Sequence, residues 1–83
     1  KIDEVTLTYK DNVATLAAKD QYGVAITAPT GTFYSSTTDV GLGAVTVGAT
    51  TTVALTGTAG KTGTVRFVSD TGAWALEVAV TLK

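Results

Sequence analysis

The stretch AWALEVAVTL, residues 73–82, decides the fold. Its large residues Trp74, Leu76, Val78, Val80 and Leu82 occupy every second position, and Ala73, Ala75, Glu77, Ala79 and Thr81 fill the gaps. That is the period of a β-strand with one buried face, whereas a helix would scatter the same five side chains around its circumference. Stacked on one side, each contributes about 1.5–3 kcal/mol on full burial, and Trp74 has the largest apolar area to hide. The segment is expected to run extended and to form the spine of the core.

The rest of the chain repeats this period in shorter pieces. Ile2 to Tyr9 alternates Val5, Leu7 and Tyr9 with Thr6 and Thr8, and Lys10-Asp11-Asn12 then suits a tight turn. From Val13 the chain is extended again, with Ala14, Leu16 and Ala18 on one face. It bends at Gly23, the natural place for a positive φ, ahead of a short apolar piece from Val24 to Ile26. Pro29 holds Ala28 extended and belongs at a turn or a sheet edge. Gly31 to Ser36 reads as a strand with Phe33 and Tyr34 on opposite faces, so one of these rings is largely exposed or lies under a loop. Val40 to Val47 is a weaker strand, interrupted by Gly41 and Gly43. Thr51 to Thr56 turns Val53 and Leu55 inward. After the glycine-rich Gly57 to Gly63, Thr64 to Ser69 puts Val65 and Phe67 on one face and Arg66 and Val68 on the other. Asp70-Thr71-Gly72 makes a three-residue hairpin into the Trp74 strand. No window has a helical period. About seven short strands with turn signals between them predict an all-β, two-sheet sandwich.

Composition narrows the function. Eighty-three residues suit one domain. With no cysteine and no histidine, the chain can form neither disulfides nor thiolate or imidazole metal sites, and it has no Ser-His-Asp or Cys-His unit. Six basic residues against seven acidic ones give a net charge of −1. Lys1, Lys10, Lys19, Lys61, Arg66 and Lys83 form no cluster in sequence, so no nucleic-acid partner is expected. The apolar runs are short and broken by Thr or Gly, so no membrane span is expected. Charged residues are 16% of the chain, below the ~25% usual for soluble domains, and Thr, Val and Ala are abundant, which favours extended backbone.

Several short elements resemble one family, the bacterial immunoglobulin-like domains that occur in tandem in surface-layer proteins and adhesins. Asp20-Gln21-Tyr22-Gly23 is similar to their Asp-Gln-Tyr-Gly corner. Tyr34-Ser35-Ser36 followed by Asp39-Val40 resembles their Trp-Ser-Ser and Val-Ala elements, and Gly63-Thr64-Val65-Arg66-Phe67 resembles the run in their penultimate strand. The chain departs from the pattern at Tyr34, where many members carry Trp, and its one Trp lies in the last strand. The resemblance implies an immunoglobulin-like sandwich, a role as spacer, lattice-forming or adhesive module, and no shared catalytic site. Residues 1–83 are then expected to be a single such domain of a larger multidomain chain, secreted to the cell surface. Its expected partners are neighbouring domains of the same chain and lattice protomers.

Several residue groups echo reactive sites, and each has a plainer reading. Asp70-Thr71-Gly72 is the triplet of aspartic proteases, but too few residues follow Gly72 to complete a protease half, and a hairpin turn explains it. Gly60-Lys61-Thr62 echoes the end of a phosphate-binding loop, which needs an earlier glycine where Leu55 stands and a helix where a strand follows. Gly41 and Gly43 lack the third glycine of a dinucleotide fingerprint. Asp3, Glu4, Asp11, Asp20, Asp39 and Asp70 offer calcium-type oxygen ligands without the spacing of a calcium loop. A Lys–Asn isopeptide crosslink would have to use Asn12, the sole asparagine, in a turn beside Lys10. Among the aromatic residues Tyr9, Tyr22, Phe33, Tyr34 and Trp74, Tyr22 is the best exposed candidate for stacking on a sugar. No catalytic, cofactor or metal residue is assigned, and no enzyme activity or cofactor is expected. The leading expectation is a non-catalytic structural module of an extracellular bacterial assembly such as a surface layer. The alternative is a module that binds carbohydrate or a host ligand.

Overall fold

The computed structural model describes residues 2–83. Lys1, one of the scattered cations, lies outside them. The alternating Thr, Val and Ala pattern produces eight strands: β1 (Ile2–Lys10), β2 (Val13–Asp20), β3 (Ala25–Ile26), β4 (Gly31–Ser35), β5 (Gly41–Val47), β6 (Thr51–Thr56), β7 (Thr62–Ser69) and β8 (Ala75–Thr81). Among the described residues there is no helix.

The strands form two antiparallel sheets, one ordered β1-β2-β6-β5 and the other β4-β7-β8, with the two-residue β3 paired to the far end of β2. Leaving β3 aside and lettering the strands A to G, these orders are A-B-E-D and C-F-G. That is the strand order of a constant-type immunoglobulin sandwich. The architecture expected from the sequence is the one observed.

The inward faces are those read from the alternation. Val5, Ala14, Leu16, Ala18, Val53 and Leu55 from the larger sheet meet Val65, Phe67, Val80 and Leu82 from the smaller, all buried. Phe33 is half-buried between the layers, its ring tilted 54° against that of Phe67 with centroids 5.1 Å apart. Tyr34, on the opposite face of β4, is 53% exposed. The two neighbouring aromatic residues divide between core and surface as alternation requires.

Three expectations need correction. Trp74 was expected in the spine of the core; it lies just before β8, is half-buried, and packs at the margin of the cluster around Leu16 and Phe67. The reason is topological. β8 is an edge strand, so only Val80 near its end and Leu82 just beyond it are fully covered, while β7 runs between two neighbours and buries Val65 and Phe67. The hairpin after β7 is one residue longer than expected, since the ladder closes with Ser69 N donating to Trp74 O at 2.9 Å and Ala73 joins the loop. The weak strand is real but irregular: β5 shifts register against β6 between Leu42 and Val45, where Gly43 stands. Val40 belongs to the turn before β5 and is buried there.

The sandwich has two poles separated along its 39 Å long axis. The registers place the start of β1, the Asp20–Val24 corner, residues 48–50 and the Asp70–Ala73 loop at one pole. The β1–β2 turn, residues 36–40, the Gly57–Lys61 loop and the chain beyond β8 gather at the other, the lower pole.

Candidate functional site

A broad concavity lies on the outer face of the three-stranded sheet. Tyr34 on β4 pairs with Arg66 on β7, and Arg66 pairs with Glu77 on β8, so the three side chains form one rung across the sheet. Ser35, Ser36, Thr64 and Val68 complete an open trough of about 640 Å³. The rung stands over low ground because its neighbours on β8 are Ala75 and Ala79. Arg66 and Glu77 close no ion pair with each other; among the described residues the one ion pair is Lys83 with Asp11, 3.1 Å apart and exposed. Among the described residues neither the guanidinium nor the carboxylate is in an ion pair, and with an exposed phenol ring and several hydroxyls they make a polar surface with no nucleophile–base pair among those side chains.

The lower end of this trough is stitched together by serine and threonine side chains. Thr64 N donates to Ser36 Oγ at 2.9 Å, Ser36 N donates to Thr64 O at 3.0 Å, and Ser35 Oγ donates to Thr37 O at 2.8 Å. These bonds fix the backbone where β4 leaves the sheet, which accounts for the Tyr-Ser-Ser sequence without a chemical role.

The other candidates are dispersed. At the corner, Asp20 Oδ1 accepts from Tyr22 N at 2.8 Å and from Val24 N at 3.0 Å, and Gly23 has φ +76°. Asp20 is thus a turn residue, and Tyr22, 81% exposed, projects from the pole away from the trough. Asp70 Oδ2 accepts from Thr30 Oγ1 at 2.9 Å, and Gly72 takes φ +76° in its turn. Gly60 N donates to Leu82 O at 2.7 Å, Lys61 O accepts from Leu82 N at 2.8 Å, and Lys61 N donates to Thr58 O at 3.2 Å, so the Gly60 and Lys61 amides are both engaged by backbone and the Gly-Lys-Thr loop forms no phosphate cradle. The six acidic residues weighed for calcium divide between the two poles, and among the described residues no three metal-ligating side chains converge.

Asn12 sits in the β1–β2 turn that the sequence predicts, and its side chain reaches the end of the chain. Its Oδ1 accepts from Lys83 N at 2.8 Å and from the Tyr9 hydroxyl at 3.0 Å, and its Nδ2 donates to Lys83 O at 3.0 Å. The Tyr9 hydroxyl also lies 2.6 Å from Thr81 O. The carboxamide is a clamp on the end of the chain, and its partner is Lys83 main chain and not the Lys10 side chain. Sequence reading missed this clamp and the Tyr34–Arg66–Glu77 rung. Alternation showed which face each residue takes, but the alignment of residues 71 positions apart comes only from strand register.

Comparison with family models, with curated proteins and with solved structures finds no match to this chain.

Proposed function

We propose that this chain is a non-catalytic structural module of an extracellular bacterial assembly, a surface layer above all, serving as a spacer or as a contact between copies. One observation carries the reading: β1 starts at one pole of the 39 Å sandwich and β8 runs out at the other. Neighbouring modules joined at these ends extend in line. Tension along that line runs parallel to β1 and β8, so their ladder bonds, which lie across the strands, are loaded together in shear instead of being peeled one at a time. The Asn12–Tyr9 clamp on Thr81 and Lys83 ties the exit strand to the opposite sheet at the point where load would enter. The resemblance of the Asp20–Gly23 corner and the Tyr34–Ser36 run to surface-layer immunoglobulin-like domains supports the same role. Antibody labelling of intact cells that make the protein is the test. Surface label is the expected result, and label confined to the cytoplasm would overturn the proposal.

A second reading, as a carbohydrate-binding module, is favoured by the Tyr34–Arg66–Glu77 rung. Opposite charges side by side suit a neutral, hydroxyl-rich ligand, and Tyr34 offers the ring face that Tyr22, isolated at its pole, lacks around it. A glycan array settles it: binding that Tyr34→Ala abolishes supports this reading, and an array without any signal removes it.

A further inference from the structure

The two sheets are of unequal width. The larger ends in β5 and the smaller in β4, and no strand of the smaller sheet covers β5. Val45 pairs with buried Val53 and Val47 with buried Thr51, so both valines face the interlayer space, yet they remain 50% and 66% exposed. Between them and β4 this open flank holds a cleft of about 180 Å³, walled by Pro29 and Phe33 and floored by the buried ring of Phe67. Inward-facing apolar side chains left uncovered are the unusual feature here, since isolated surface valines are commonplace.

No charged residue lines this cleft, and β4 and β5 carry none. Its rim is different. Thr30, the residue before β4, lines the cleft, and its Oγ1 donates to Asp70 Oδ2 at 2.9 Å. Asp70 N donates in turn to Thr30 O at 2.9 Å, so two bonds hold the β7–β8 turn, with its exposed carboxylate, against the rim. A carboxylate has about four acceptor sites, and Thr30 takes one of them. Among the described residues Asp70 enters no ion pair.

Each half of this site selects a different part of a ligand. The valine and phenyl walls favour methylene groups, which gain by leaving water and bring no polar atom with them. The carboxylate favours a cation and repels an anion, and beside an apolar wall its pull is stronger than in open water. A neutral apolar molecule would use the cleft alone, and a cation without an apolar stem the rim alone. Size follows from the volume: at about 30 Å³ for each water-sized group, the cleft of about 180 Å³ has room for about six heavy atoms.

We propose that the cleft between β4 and β5 binds a small primary alkylammonium ion of about six heavy atoms, its chain against Val45, Val47 and Phe33 and its ammonium on the Asp70 carboxylate. Five carbons and a nitrogen fill the space, so n-pentylammonium is the matched probe. The affinity open to so small a ligand is millimolar, a Kd of about 1–10 mM. The site is separate from the Tyr34–Arg66–Glu77 trough on the outer face of the smaller sheet, and its failure would leave the spacer and carbohydrate readings untouched.

The test is a titration of the purified chain at neutral pH, followed through its amide NMR spectrum up to about 50 mM ligand, several times the expected Kd. Pentylammonium should shift the amides of Gly31, Phe33, Val45, Val47 and Thr51, which line the cleft. Methylammonium, with the charge but no chain, should bind at least about tenfold more weakly. 1-Pentanol, with the chain but no charge, should bind about three- to tenfold more weakly, and pentanoate no better than the alcohol. Asp70→Asn keeps an acceptor for Thr30 and should weaken pentylammonium by the same about three- to tenfold, whereas Glu4→Gln, on the opposite rim, should not change it. The spectra themselves show that both variants keep the fold. Absence of shifts at the cleft with pentylammonium overturns the proposal. So does pentanol binding as tightly as the amine, or an Asp70→Asn chain that binds the amine unchanged. Nα-acetyl-lysine methylamide carries the same ammonium on a shorter stem, and tighter binding of it than of pentylammonium would assign the cleft to a lysine side chain of a protein partner and overturn the small amine as its occupant.

Discussion

Replacing Asn12 isolates the clamp at the lower pole and tests whether a turn residue holds two sheets together. Asp11 and Asn12 have φ of 48° and 66°, the doubly positive pattern of a type I′ hairpin turn. Asparagine tolerates that conformation through its local hydrogen bonding, whereas alanine meets a left-handed penalty of about 1 kcal/mol or more. Asn12→Ala also removes three side-chain hydrogen bonds, two to the main chain of Lys83 and one to the Tyr9 hydroxyl. These bonds are exposed or half-exposed, so each is taken at the low end, about 0.5 kcal/mol. The combined loss is about 2.5 kcal/mol, which in a domain of this size lowers Tm by about 10–20 °C. Asn12→Gly removes the same bonds but not the conformational ease, so it should recover about 1 kcal/mol of that loss. The assay is thermal and denaturant unfolding of both variants, with amide exchange read at Thr81 and Leu82. Asn12→Ala within about 0.5 kcal/mol of wild type, glycine more damaging than alanine, or unchanged protection at the end of β8 would each refute the clamp.

Three further outcomes follow from the packing. Phe67→Ala should cost about 3–5 kcal/mol in denaturant unfolding, against about 2 kcal/mol for Trp74→Ala, because the phenyl ring is fully enclosed and the indole half so. Equal costs would restore the last strand as the centre of the core. Gly57→Ala should destabilise by about 1–3 kcal/mol, measured as a shift in the urea midpoint: φ is +139°, and a Cβ there would run into the Asp39 carbonyl and the Leu82 side chain. Lys83→Ala, which removes only the exposed pair with Asp11 and leaves its main chain on Asn12, should change stability by less than about 0.5 kcal/mol in the same assay.

The alternation of residues 73–82, of Ala14-Leu16-Ala18, of Val53-Leu55 and of Val65-Phe67 specified the strands and their buried faces, because a strand's period of two is a local property of the chain. Turn chemistry was equally local: Asp11, Asn12, Gly23 and Gly72 all have positive φ where the sequence asked for a turn. Which strand would be central was not legible, since Trp74 and Phe67 look alike as inward residues, and only the order β4-β7-β8 puts one at a rim and the other between neighbours. The same holds for the trough, the clamp and the open flank. Each depends on residues far apart in sequence, and their alignment is set by register and by the unequal width of the two sheets, a balance of packing over the whole core that no short window of residues contains.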